Sequence, residues 1–262
     1  MQMVAASKMR KAQQSALVMR PFVQLVYRIQ REATTRIGSF SHPLLQVRDV
    51  RKRAIILVAA DKGLCGALNS NLFRLAAQYD PQSTVFIAAG RKAAQFLARS
   101  RRQMVAEFAY PDAPRYPDAK AIAAFARDLF LKGEVDQVLV IATRFVNTLT
   151  LQPGCLVYLP VGEVKIPGVE FEKELMDDTS EVLFEPSPKA VLAYLIPHYL
   201  NIYMFQVLLN AKASEHSARM VSMQNATESA EDLIKDLTIE YNKRRQTNIT
   251  QELLEIAGGQ AG

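Results

Sequence analysis

The strongest constraint on this chain is a stretch near its end that lacks both helix breakers. After Pro197 the next proline or glycine is Gly258. Starting just before it, an apolar or small seam recurs at alternating steps of three and four, through Leu195, Tyr199, Ile202, Gln206, Leu209, Ala213, His216, Met220, Met223, Thr227, Ala230, Ile234, Leu237 and Tyr241. That heptad spacing, held for about six repeats, is a coiled-coil pattern. Glu185-Pro186-Ser187-Pro188 supplies a start, a capping serine followed by proline at the first helical position. The spacing predicts a helix from Ser187 to Ile256, on the order of 100 Å long at 1.5 Å per residue. Such a helix exceeds any single core of this size. It needs a partner helix, and something outside the chain to reach.

A candidate partner stands at the other end of the chain. Met1, Ala5, Met9, Ala12, Ala16, Met19, Val23 and Val26 form a second seam at helical spacing, which predicts a helix over residues 1 to about 36. Small residues admit a close neighbour and Met fills irregular gaps. Pro21 is expected to kink it. The periodic pattern is already under way at Met1 without an N-cap, so the natural helix is expected to start further upstream. Gly38-Ser39-Phe40-Ser41-His42-Pro43 ends it.

Between the two helices the period changes. Arg53 to Ala60 is a continuous apolar run, as in a strand buried on both faces. Helices are predicted over Leu68–Tyr79, Arg91–Arg99 and Asp118–Leu131, and strands over Thr84–Ala89, Met104–Phe108, Val135–Thr143 and Cys155–Pro160. The alternation predicts a small Rossmann-like α/β module with a parallel or mixed sheet. Gly162 to Glu185 is acidic and irregular. The expected fold class is therefore α/β, with a long antiparallel two-helix coiled coil from the two termini flanking that module. Its segments are an N-terminal coiled-coil helix over 1–42, an α/β foot over 43–185 and a C-terminal coiled-coil helix over 186–262.

The chemistry-bearing residues are few. Asp61-Lys62-Gly63-Leu64-Cys65-Gly66-Ala67-Leu68-Asn69 sits where the first strand turns into a helix, the place where α/β folds hold phosphates. It matches neither the dinucleotide glycine pattern nor the P-loop, which needs Lys and Ser/Thr after its second glycine. Glycines serving a tight turn, with Asp61 and Asn69 satisfying nearby backbone, is the simpler reading. Cys65 and Cys155 are the only cysteines and show no disulfide or metal spacing, which makes a reducing compartment the default. The three histidines, His42, His198 and His216, make no metal-like spacing, and His216 falls on the seam.

The chain carries 49% hydrophobic residues and a net charge of +6. Lys8, Arg10, Lys11, Arg20, Arg28, Arg31 and Arg36 make the first helix basic, which composition alone reads equally as a nucleic-acid surface or a face for an acidic protein partner. Beyond Tyr241 the seam fades into Asn242-Lys243-Arg244-Arg245-Gln246-Thr247-Asn248-Ile249-Thr250-Gln251-Glu252. That polar tail suits contact with another protein, or is a frayed end. The apolar runs at Val135–Val146 and Val191–Leu209 are too short or interrupted to span a membrane.

Two stretches carry a family resemblance. Met1-Gln2-Met3-Val4-Ala5-Ala6-Ser7-Lys8-Met9-Arg10-Lys11-Ala12 resembles the first helix of the gamma subunits of the F-type rotary ATP synthase. Ala213-Ser214-Glu215-His216-Ser217-Ala218-Arg219-Met220-Val221 through Asn225-Ala226-Thr227, then Tyr241-Asn242-Lys243 through Arg245-Gln246 to Ile249-Thr250-Gln251-Glu252, resembles their C-terminal helix. The Asp61–Gly66 turn is also similar to a family motif. The resemblance covers nearly the whole chain and is of the bacterial type.

It implies a non-catalytic central stalk that binds no nucleotide, metal or cofactor. Its partners would be the alpha and beta subunits around the coiled coil, and the epsilon subunit and c-ring at the foot, with no nucleic acid. The complex would sit on the cytoplasmic face of the bacterial plasma membrane, with this chain peripheral to it. Arg219, Gln246, Thr250 and Glu252 match positions that engage loops of the catalytic subunits, with Met1 and Lys8 facing the same region. The resemblance resolves the basic first helix in favour of a protein partner. Two departures stand out: the family's first helix begins about twenty residues earlier, and the closely spaced Cys pair of the chloroplast form is absent. The alternative is a nucleotide-binding α/β protein that oligomerises through its long helices.

Overall fold

The computed structural model describes residues 2–18, 42–161, 185 and 187–259. In chain order these form α1 (Gln2–Val18), a 3-10 turn (Pro43–Leu45), β1 (Arg53–Val58), α2 (Leu68–Ala77), β2 (Thr84–Ala89), α3 (Arg91–Arg99), β3 (Met104–Phe108), α4 (Tyr116–Leu131), β4 (Gln137–Phe145), β5 (Leu151–Leu159) and α5 (Pro188–Gly259). The continuation of the first helix past Val18, including Pro21, and the acidic segment over 162–184 lie outside the described residues.

The strands form one mixed sheet in the order β3-β2-β1-β4-β5. The pairs β1–β2, β1–β4 and β2–β3 are parallel, and β4–β5 is antiparallel. The continuous apolar run of β1 has the reason its pattern predicts. Ala54, Ile56 and Val58 face one core, while Ile55, Leu57 and Ala59 face the other. On the first side lie α4, through Ile122, Ala126 and Phe130, and the early part of α5, through Tyr199, Tyr203 and Leu208. On the second lie α2 and α3, through Leu72, Ala76, Ala93 and Leu97. Two-sided burial removes the polar/apolar alternation that a one-sided strand shows.

Several boundaries move from the sequence-based expectation: β4 is shifted to Gln137–Phe145 and α2 ends at Ala77, and one strand start and one helix start move for identifiable reasons. β5 begins at Leu151 rather than Cys155, running through Pro153 and Gly154 opposite Thr143 and Ala142. It is an edge strand, where proline is tolerated because its missing N–H need not serve a ladder. α4 begins at Tyr116 rather than Asp118. Pro117 fits a first helical turn, and the Asp118 carboxylate accepts the Arg115 N–H at 2.9 Å, closing that turn.

α5 spans 72 residues, which at 1.5 Å per residue is roughly 108 Å. Ser187 caps it as expected, its Oγ accepting the Ala190 N–H at 3.3 Å. Pro197 lies within the helix. It removes one backbone hydrogen bond, and the burial of Ile196, Tyr199 and Leu200 around it holds the helix through that point. The most apolar part of α5 has the length and composition of a membrane span, but most of it is buried inside the fold. Burial follows the predicted seam from Tyr199 to His216, halves at Met220 and Met223, and is gone at Thr227, Ala230, Ile234, Leu237 and Tyr241. α1 packs along α5 and buries Ala5 and Met9 of its own seam.

Candidate functional site

The strand order reverses at β1, which has β2 on one side and β4 on the other. In open α/β sheets the crevice beyond the carboxyl ends of the strands at such a switch point is where ligands bind. Here α5 enters it. Lys212 places its ammonium 2.9 Å from Asp61 Oδ2, just beyond the end of β1. Ser214 Oγ donates to the carbonyl of Thr143 at 3.5 Å, near the end of β4. Ser217 Oγ donates to the Thr148 carbonyl at 2.8 Å in the β4–β5 turn.

Around Lys212 the groups form one buried ionic network. The side chain is 1% exposed, with Glu215 Oε2 at 3.1 Å and Asp112 Oδ1 at 3.9 Å. Its Nζ stands 4.7 Å from the centre of the Tyr110 ring, within cation–π range. Glu215, 2% exposed, holds the Arg219 guanidinium at 2.7 Å through its other oxygen. Arg219 then donates to the backbone carbonyls of Gly63 and Lys62 at 3.3 and 3.5 Å. Lys8 of α1 closes the opposite side by an ion pair with Asp112. A buried ammonium is tolerable only when paired and hydrogen-bonded, and Lys212 meets that condition with residues from β1's end, the segment before α4 and α5 itself.

The electrostatics follow from burial. Desolvation holds the His216 imidazole below its ordinary value, with Glu215 and Asp112 opposing. The ring is therefore neutral at pH 7, and its Nδ1 accepts from Arg219 at 3.4 Å. The ion pair with Lys8 draws the Asp112 carboxyl below the usual carboxylate range, against desolvation. Tyr110 is pushed far above the ordinary phenol, first by burial and then by Glu215 and Asp61.

The Asp61–Asn69 turn is thereby a docking surface. Asn69 Oδ1 accepts the Ala60 N–H and Asp61 Oδ1 the Arg91 N–H, the backbone roles expected of both residues. Gly66 sits at φ +55°, and a Cβ there would stand 3.1 Å from Ser222 Oγ of α5. Cys65 is buried, its thiol pushed up by desolvation, which disfavours a reactive thiolate. The hollow beside this turn, about 250 Å³, is lined by Cys65, Gly66, Leu151, Ala218 and Ser222 among others, and among the described residues by no Lys or Arg. A phosphate placed there would meet no cation among the described lining residues.

The structure brings Lys8 and Arg219 to this joint, and both are engaged inside the chain. Gln246, Thr250 and Glu252 lie far along α5, all exposed. Thr250 Oγ1 donates back to the Gln246 carbonyl at 2.9 Å. Met1 lies outside the described residues. Lys212, Asp61, Glu215, Asp112 and Tyr110 went unsingled by sequence as a cluster. The usable signal was a Lys and a Glu at i and i+3 beside seam positions, where a solvated pair is not expected.

A compact α/β module whose ligand crevice is stoppered by a projecting helix is a scaffold with a shaft. A family model described as ATP synthase matches residues 1–262. The chain is 43% identical to the ATP synthase gamma chain of Opitutus terrae, over 99% of this chain and 90% of that one. It is 40% identical to the gamma chain of Dehalococcoides mccartyi strain BAV1, over 100% and 91%. The chain belongs to the ATP synthase gamma chain family. Among solved structures it is similar to a chain of the Tetrahymena thermophila mitochondrial ATP synthase central stalk and c-ring, with TM-score 0.64 at 23% identity over 86% of this chain and 97% of that one. A chain of the Euglena gracilis enzyme gives TM-score 0.61 at 16% identity, over 99% and 93%. At those identities the likeness is one of fold.

Proposed function

We propose that this chain is the non-catalytic central-stalk rotor subunit of a proton-translocating ATP synthase, coupling rotation of the membrane c-ring to conformational change in the catalytic beta subunits. The observation that carries this is the stoppered crevice. The place where an α/β fold would hold a nucleotide is filled by Lys212, Ser214 and Ser217 of α5, so the module serves to root a shaft. A shaft works by differential contact: a partner's conformations change in population only where the shaft touches them unequally. An asymmetric helix that turns inside a ring presents such unequal contacts to each beta subunit in succession.

In this reading residues 1–42 and 186–262 form an antiparallel coiled coil, and 43–185 the foot that meets the epsilon subunit and c-ring. The chain is peripheral to the membrane, on its cytoplasmic face. Gln246, Thr250 and Glu252 are exposed with unspent hydrogen-bonding capacity and carry the contact with the catalytic subunits. Lys8 and Arg219 brace the joint and, with Met1, make a second contact zone in this reading, roughly 40 Å along α5 from Gln246 at 1.5 Å per residue. The test is reconstitution with alpha and beta subunits. The complex should hydrolyse ATP, and Gln246→Ala with Glu252→Ala should slow turnover while assembly stays intact. Unchanged turnover would remove these residues from the contact. Saturable ATP, ADP or NAD binding by the isolated chain, lost on Gly66→Val, would overturn the reading of the module as a foot.

A further inference from the structure

Roughly two turns of α5, from Lys212 to Arg219, carry a set of polar bonds to the module. Lys212 meets Asp61 at the end of β1, and Arg219 meets the carbonyls of Lys62 and Gly63. Ser214 bonds the Thr143 carbonyl in β4, and Ser217 the Thr148 carbonyl in the turn that follows. At about 100° per residue, Lys212, Glu215 and Arg219 fall within about 60° of one another around the helix axis. Ser214 and Ser217 fall within about 60° of each other on the opposite side. The module therefore grips α5 from two sides at one level. α1 is tied in at the same level, because Lys8 pairs with Asp112, which lies 3.9 Å from Lys212. Just beyond, the support ends. From Gln224 to Ile256 every residue of α5 is exposed, a span of roughly 48 Å at 1.5 Å per residue.

We propose that Lys212–Arg219 is a collar that passes torque between the shaft and the α/β module, with Lys212, Ser214 and Ser217 as its positioning residues. That role presupposes the rotor reading above and assigns its load to particular side chains. A load on a rod held at one end bends it most where the support stops, and any twist passes undiminished to the same place. The polar grip sits at that place. Apolar burial is non-directional, so the packed stretch from Tyr199 to Leu209 sets the rotation of the helix less sharply than bonds of fixed direction. Hydrogen bonds weaken steeply off line, and a buried ammonium parted from its carboxylate is costly. Turning α5 by one residue, about 100°, would break the bonds on both sides at once. Setting register is also the best-attested use of buried polar and ionic groups between helices.

Rotation of a bead attached to the module, driven by ATP in a complex with surface-fixed alpha and beta subunits, reads the torque directly. Lys212→Met with Asp61→Asn removes one side of the collar as a neutral pair and leaves Glu215 on Arg219. Ser214→Ala with Ser217→Ala removes the other side. Each double variant should hydrolyse ATP at the parent's unloaded rate, yet stall at less than half the parent's torque when magnetic tweezers oppose rotation. Leu72→Ala, in the core beneath α2, lowers stability without touching the collar and should keep the parent's torque. Parent torque in either double variant would overturn the collar, as would an equal loss in Leu72→Ala. A parent bead that never turns would overturn the rotor reading, and the collar with it.

Discussion

Lys212 Nζ and Asp61 Oδ2, 151 positions apart in sequence, meet at 2.9 Å. One comes from the shaft helix and the other from the end of the central strand, so this contact fixes where along its length α5 meets the module. Apolar packing alone would let a helix slide or turn by one position at modest cost. A buried ammonium between Asp61 and Glu215 has one place to go, because any shift leaves a charge unpaired in a low dielectric.

Lys212→Met tests that relationship. Removing one partner of a buried pair typically costs about 3–5 kcal/mol, because the remaining charge stays buried. The variant should lose about that much in urea unfolding, and the triple variant with Asp61→Asn and Glu215→Gln should recover part of it. A single variant as stable as the parent would mean that the network does not hold the joint.

The two positive-φ glycines at the edges of the crevice should rank in a definite order. At Gly90, φ +97°, a Cβ would lie 2.2 Å from the Ala59 carbonyl oxygen, and backbone cannot swing away. At Gly66, φ +55°, it meets only the Ser222 hydroxyl at 3.1 Å. Gly66→Ala should therefore cost on the order of 1 kcal/mol, the strain of a left-handed residue. Gly90→Ala should cost several-fold more or fail to fold, and thermal melts of the pair would show the order.

The joint should weaken in acid through two groups at different pH. His216 has its pKa lowered by burial, so the unfolded chain binds the proton more readily. Its stability contribution is complete above the ordinary value of 6.5 and declines as pH falls from there toward its folded value. Asp112 is also lowered, by Lys8 first. Its contribution is complete above 3.8 and is lost as pH falls through the lower folded value. Unfolding free energy should thus drop in two stages. His216→Gln should remove the upper stage, and Asp112→Asn should shrink the lower, which Asp80 and Asp136, also held below the usual carboxylate range by hydrogen bonds, share.

Much of this architecture was legible because it rests on local rules. The two-sided burial of β1 leaves a continuous apolar run, and Ser187-Pro188 announces the start of α5. The joint was hidden for a physical reason. From Tyr199 to Ser217 most of α5 is enclosed by the sheet on one side and α1 on another, and a helix buried all round loses the one-faced periodicity that marks orientation. Pairings such as Lys212–Asp61 have no sequence period at all. Arg219 shows the limit in the other direction. Its motif points to a partner contact and gives no sign of the intrachain role the structure adds, in which it engages Glu215 and two carbonyls of the 61–66 turn.

The outer part of α5 gives the last prediction. Leu233, Ile234, Leu237, Ile239, Tyr241, Leu253, Leu254 and Ile256 are 55–67% exposed, and no described element packs on them. Local pairs such as Lys235–Asp232 and Arg244–Glu240 stiffen the helix, but exposed pairs of this kind contribute only a few tenths of a kcal/mol each. A helix without tertiary packing opens locally at low cost. In the isolated chain, amide hydrogens beyond Thr227 should exchange orders of magnitude faster than those of Tyr199 to Ser217. Assembly with alpha and beta subunits should then slow the outer amides without changing the inner ones. Outer amides that are already as protected in the isolated chain as the inner ones would show that this segment packs against itself or a second copy, and that the exposed face is no free shaft.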